Sequence, residues 1–232
     1  INYINKDNWL TEYKNTRDFE KKFAKFTTSK NCITFPNGTL TMYAILSCLN
    51  LKKSSEVLVS NYTMVATANV VKMAGLKLKL VDITDEDFCM CPKDLLKKIT
   101  KRTKAVIYTQ MNGRNGKIDE ISKICKKKNI FLIEDAAHAI GSYIKNKHAG
   151  NHGIASSFSF SMPKLITMGQ GGSVITNNSK LAKKLRLFKN FGRKKDGVDI
   201  HNYLGYNFKI TDLQSILASS QLQDIKKRIN LK

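Results

Sequence analysis

Apolar runs of strand length alternate along this chain with longer segments whose apolar positions recur every three or four residues. Residues 31–35 (Asn-Cys-Ile-Thr-Phe) read as a short strand, and Pro36-Asn37-Gly38-Thr39 as the turn that follows it. Leu40, Tyr43, Ala44, Leu46 and Leu49 then mark an apolar stripe on a helix. The pattern continues as strand 56–60, helix 65–74, strand 77–81, helix 93–100, strand 105–109, helix 119–128 and strand 130–133. Beyond Gly150 it changes to short strands at 156–161 and 172–176 and a helix from 179 to about 189. A Gly- and Lys-rich loop runs through His201, and Thr211 is placed to cap a last helix from 212 to about 228. Strand and helix in alternation predict an α/β fold, a mostly parallel sheet with helices on both faces. No repeat, low-complexity tract or linker interrupts residues 1–232, which read as one domain.

Composition narrows the class. A hydrophobic content of 42% suits a globular chain, and no apolar run approaches the roughly 18 residues of a membrane span, so no membrane partner is expected. The segment Ile1-Asn2-Tyr3-Ile4-Asn5-Lys6 lacks the apolar core of a signal peptide, which predicts a cytoplasmic protein. Ile1 in place of Met suggests that the true N-terminus lies upstream. Cys32, Cys48, Cys89, Cys91 and Cys125 are scattered, and no second pair or His cluster completes a zinc site around Cys89-Met90-Cys91. They read as reduced structural thiols, with no metal.

The net charge of +22 raises a nucleic-acid-binding domain as one reading, which predicts salt-sensitive DNA binding. Yet the lysines are dispersed, as at Lys21-Lys22, Lys97-Lys98, Lys126-Lys127-Lys128, Lys183-Lys184 and Lys194-Lys195. They fall on what read as solvent faces of helices, and no aromatic-interleaved basic motif accompanies them. Solvated faces are the better reading, and no nucleic-acid partner is expected.

The chemistry converges where such sheets place ligands, at the carboxyl ends of the strands. Asn37-Gly38-Thr39 follows a strand and opens a helix, so its amides and the Thr39 hydroxyl suit a phosphate. The strand at 130–133 leads into Glu134-Asp135-Ala136-Ala137-His138-Ala139, an acid followed by small residues that leave room for a flat ring. Asp135 can hold a ring nitrogen protonated, and His138 can flank the ring. Ser157-Phe158-Ser159-Phe160-Ser161-Met162-Pro163-Lys164 delivers hydroxyls and one lysine into a turn before Gly169-Gln170-Gly171-Gly172. A lysine that can lose its proton and attack a carbonyl is what Schiff-base chemistry needs. Phosphate cradle, carboxylate and lysine together describe a site for pyridoxal 5′-phosphate.

Across almost its full length the chain resembles the DegT/DnrJ/StrS family of sugar aminotransferases, which have the type I aminotransferase fold. The matching segments include Trp9-Leu10-Thr11-Glu12, Phe19-Glu20-Lys21-Lys22-Phe23-Ala24, Asn37-Gly38-Thr39 and Tyr62-Thr63-Met64-Val65-Ala66-Thr67-Ala68-Asn69. They continue with Val81-Asp82-Ile83, Thr103-Lys104-Ala105-Val106, Glu134 through Ser142 and Gly205-Tyr206-Asn207-Phe208-Lys209.

The resemblance implies a three-layer α/β/α large domain. It makes Lys164 the catalytic Schiff-base lysine and Asp135 the acid on the pyridine nitrogen. By the same resemblance His138 lies beside the ring, and Gly38, Thr39 and Ser159 hold the phosphate. Met64 stands where an aromatic usually packs on the ring, Gln170 where Glu is commoner and Lys209 where Arg is usual. Asn207 resembles an asparagine that reaches the neighbouring subunit's cofactor, which implies a homodimer. The implied reaction moves an amino group, with glutamate as donor, to a nucleotide-linked keto-deoxysugar for aminosugar and surface-polysaccharide biosynthesis. Lys164 argues against the family's dehydratase branch, which has histidine there. Family members continue into a small C-terminal domain, so the chain reads as C-terminally truncated. That leaves a catalytically silent cofactor-binding or regulatory protein as the alternative.

Overall fold

The computed structural model describes residues 10–194, 197–201 and 203–231; Trp9 and Lys195 lie outside them. Helix α1 (Lys14–Phe26) precedes β1 (Asn31–Phe35), α2 (Gly38–Cys48), β2 (Glu56–Ser60), α3 (Val65–Met73), β3 (Lys77–Val81), α4 (Pro92–Lys98) and β4 (Thr103–Thr109). After α5 (Ile118–Lys127) and β5 (Phe131–Asp135) comes a small hairpin, β6 (Tyr143–Ile144) and β7 (Lys147–His148). Strands β8 (Ala155–Ser159) and β9 (Gly172–Thr176) and helices α6 (Ser179–Lys189), α7 (Asp212–Gln223) and α8 (Ile225–Asn230) complete it.

The seven-stranded sheet has the order β1-β9-β8-β5-β4-β2-β3. Strands β8, β5, β4, β2 and β3 pair in parallel, whereas β9 runs antiparallel to both β8 and β1. Because side chains alternate along a strand, each strand feeds two cores. Ile33, Val57, Val59, Ile107, Ile133 and Val174 face one side, under Ala44, Ile45, Val70 and Leu185 of α2, α3 and α6. Leu58, Val106, Tyr108 and Leu132 face the other, against Leu95, Ile118 and Ile121 of α4 and α5. On that same side Cys32, Phe158 and Ile175 pack with Phe19 and Phe23 of α1 and Ala218 and Leu222 of α7. The result is three layers with a sheet buried on both faces, as the strand–helix alternation predicts.

Three features differ from the sequence-based expectation. Helix α1 was not expected: only Phe19, Phe23 and Phe26 mark its stripe among charged residues. Phe23 meets Phe158 and Phe160 edge to face, each at 5.3 Å. Strand β5 extends to Asp135 because that residue still pairs with Thr109 on one side and Ser157 on the other. The last helix breaks at Asp224 into α7 and α8. Lys189, at the end of α6, is 2% exposed and bound to Glu12 Oε2 at 2.6 Å and the Thr34 carbonyl at 2.6 Å. Thr211 does cap α7, in a reciprocal capping box with Gln214. No described helix is long and apolar enough to cross a membrane.

Candidate active site

Three strand ends build the site. At the first, β1 leads directly into α2. The Asn37 side chain accepts the Leu40 N–H at 2.9 Å, satisfying one first-turn amide and leaving those of Gly38 and Thr39 at the positive end of the helix. A Cβ on Gly38 would come within 3.1 Å of Ser159 Cβ, tighter than most such contacts. The turn after β1 and the end of β8 are therefore in contact.

At the second, β5 ends in two acids that face opposite ways. Glu134 is fully buried and accepts the N–H groups of Gly150, His152 and Gly153 at 2.8, 2.6 and 2.7 Å, together with Gln110 Nε2 at 3.1 Å. It ties down the loop that enters β8. Asp135, also buried, accepts the Thr67 hydroxyl at 2.7 Å and the Ala137 N–H at 3.2 Å. Burial pushes its carboxyl above the usual range, against the pull of those two donors and of His138 and Lys164. Its place at the end of β5, with its charge favoured by the Thr67 hydroxyl and the Ala137 amide, suits it to hold a proton at a ring nitrogen.

At the third, β8 ends at Ser159 and the chain loops out to present Lys164. The base of the loop is closed by Phe160 N–H to the Gly171 carbonyl and Met168 N–H to the Phe160 carbonyl, both 2.8 Å. Lys164 N–H donates to the Ser161 carbonyl at 3.0 Å. Gln221 of α7 grips the loop twice, accepting Thr167 N–H at 3.0 Å and donating to the Thr167 carbonyl at 2.7 Å.

Gly38, Thr39, Met64, Asp135, His138, Ser159 and Lys164 all line one cavity of about 670 Å³. Met64 is 67% exposed at its rim, and Gln170 lines it as well. Asn207 does not line it; it sits exposed at an antiparallel bridge to Asn190. Thr67, Gln110 and Gln221 were not anticipated as site residues. The only signal in the sequence was a polar residue on a helix or strand end facing the carboxyl edge of the sheet.

The model of the DegT/DnrJ/EryC1/StrS aminotransferase family matches residues 1–232. The chain is 33% identical over 225 residues to the GDP-perosamine synthase of Escherichia coli O157:H7, covering 95% of this chain and 62% of that protein. It is 33% identical to the Vibrio cholerae GDP-perosamine synthase, covering 92% and 58%. The aminotransferase PseC of Helicobacter pylori, involved in the biosynthesis of pseudoaminic acid, superposes with a TM-score of 0.92 at 29% identity, covering 97% of this chain and 62% of that one. The chain thus spans about three fifths of the length of these relatives.

The cofactor of the matched family is pyridoxal 5′-phosphate. The donor set fits it: a buried carboxylate, a helix N-terminus that a Cβ would crowd, hydroxyls and a lysine border one cavity.

Proposed function

Because the chain belongs to the DegT/DnrJ/EryC1/StrS aminotransferase family, we propose that it moves an amino group from glutamate to a nucleotide-linked keto-deoxysugar, for aminosugar and surface-polysaccharide biosynthesis. The observation that carries this reading is the meeting of Asp135, Lys164 and the N-terminus of α2 in one cavity. The GDP-perosamine synthases among its relatives support the nucleotide-sugar class.

Pyridoxal phosphate supplies an electron sink when bound. Gly38, Thr39 and Ser159 bind its phosphate with backbone amides and hydroxyls. Asp135 would hold a proton at the ring nitrogen, and Met64 and His138 would pack beside the ring. Lys164 would hold the cofactor at its aldehyde carbon and, as a free amine, would move a proton between the donor's α-carbon and the cofactor's exocyclic carbon. The same residues would serve the transfer of nitrogen to the sugar ketone.

We also place the protein in the cytoplasm, which suits its five unpaired thiols. We infer a homodimer in which exposed Asn207 reaches across to the partner's cofactor. No nucleic acid, membrane or metal takes part. Glutamate added to the cofactor-loaded chain is expected to bleach its visible band and release an equal amount of 2-oxoglutarate. A nucleotide-linked keto-deoxysugar should restore the band. Failure to form 2-oxoglutarate would overturn the reading.

A further inference from the structure

Three threonine hydroxyls run in file to the buried acid. Thr67 Oγ1, in the first turn of α3, lies 2.7 Å from Asp135 Oδ2. Thr63 Oγ1, in the loop after β2, lies 3.0 Å from Thr67 Oγ1, and Thr109 Oγ1, at the end of β4, lies 3.0 Å from Thr63 Oγ1. Distance alone does not give the direction of the last two bonds, but proton counting does. An ionised carboxylate only accepts, so Thr67 donates to it. Each hydroxyl has one proton, so Thr63 must donate to Thr67, and Thr109 must donate to Thr63. The dipoles then all point at Asp135, and aligned hydrogen bonds strengthen one another.

We propose that Thr109, Thr63 and Thr67 form a one-way hydroxyl chain that keeps Asp135 ionised inside the fold. Thr63 and Thr109, which do not touch Asp135, are positioning residues acting through Thr67. The charged groups that act on Asp135 are His138, beyond β5, and Lys164, beyond β8; α3 and β4 bring hydroxyls. The chain answers a specific cost, because burial opposes a charge at Asp135. It rests on the reading of Asp135 as the holder of the ring-nitrogen proton, since a neutral acid there would pair less strongly with a pyridinium.

The test is the carboxyl 13C NMR titration of Asp135 in the full chain without added cofactor, with the resonance assigned by Asp135→Asn. Thr67→Val should raise the midpoint by about one pH unit, a tenfold change in proton affinity. Thr63→Val and Thr109→Val should each raise it by about 0.2–0.5 pH unit, and Thr67→Ser should leave it in place. Amide spectra establish that each variant is folded; Thr63, half-buried, is the substitution that disturbs packing least. Midpoints of Thr63→Val and Thr109→Val equal to the wild type would overturn the proposal, even with Thr67→Val shifted. The titration needs no cofactor, so failure of pyridoxal phosphate to bind would remove the proposed function and leave this result standing.

Discussion

A Cβ on Gly172 would stand 2.6 Å from the carbonyl carbon of Asn37 and 2.8 Å from the Gly38 amide nitrogen. The first residue of β9 is thus pressed against the peptide that opens α2. Its neighbour in the sheet, Ser159, lies directly opposite it. The turn that opens α2 therefore takes its position from a strand far away in sequence. The atoms in the way are backbone, so Gly172→Ala must move the turn. Affinity for pyridoxal phosphate should fall at least about tenfold, the cost of a displaced ligand of about 1.4 kcal/mol. A cofactor titration giving wild-type affinity would contradict the arrangement.

Glu134 and Asp135, though adjacent, should respond oppositely to loss of charge. Glu134→Gln places an NH₂ group among N–H donors from Gly150, His152 and Gly153. Hydrogen bonds to a buried charge are costly to lose, and the variant should be less stable by about 2–4 kcal/mol in urea unfolding.

Asp135→Asn, in contrast, should unfold at the same urea concentration as the wild type or higher, since burial already disfavours its charge. It should nevertheless lose more than about 99% of transamination, a rate loss of about 2.7 kcal/mol in barrier. Equal destabilisation of the two variants would refute the division of labour.

Asp212 opens α7 and also caps the start of α1, accepting the N–H groups of Tyr13, Asn15 and Thr16 at 2.7, 3.0 and 3.0 Å. Burial pushes its carboxyl up, but the Thr16 hydroxyl and the amides around it prevail and hold it at about 2. An unfolded aspartate titrates near 3.9, so the folded value is the lower one. The stability it contributes is therefore present above about pH 4 and is lost as pH falls through about 2. Urea unfolding of Asp212→Asn and wild type should differ most above pH 4 and converge toward pH 2. A gap that stays constant over that range would contradict the assignment.

What could be read from the sequence, and what could not, follows the range of the interactions. The strands β1, β2, β4 and β5 show as short apolar runs because each is buried on both faces. Asn37-Gly38-Thr39, Asp135 and Lys164 stood out because each follows such a run, where ligands collect. Helix α1 did not, since its stability comes from Phe158, Phe160 and Asp212, more than a hundred residues away. Thr67 meets Asp135 across 68 residues and Gln221 meets Thr167 across 54. Nor does local pattern tell that Glu134 turns into the core while Asp135 turns into the cavity. That alternation follows from β5 running on through both acids.

Among the chain's many lysines, Lys164 is proposed to bond the cofactor. Borohydride reduction of the chain with pyridoxal phosphate, followed by peptide mapping, tests this most directly. A stoichiometric, irreversible adduct on Lys164 is expected, and none at that peptide in Lys164→Ala. An adduct concentrated on another lysine, or spread over the surface lysines with Lys164 unmodified, would contradict it.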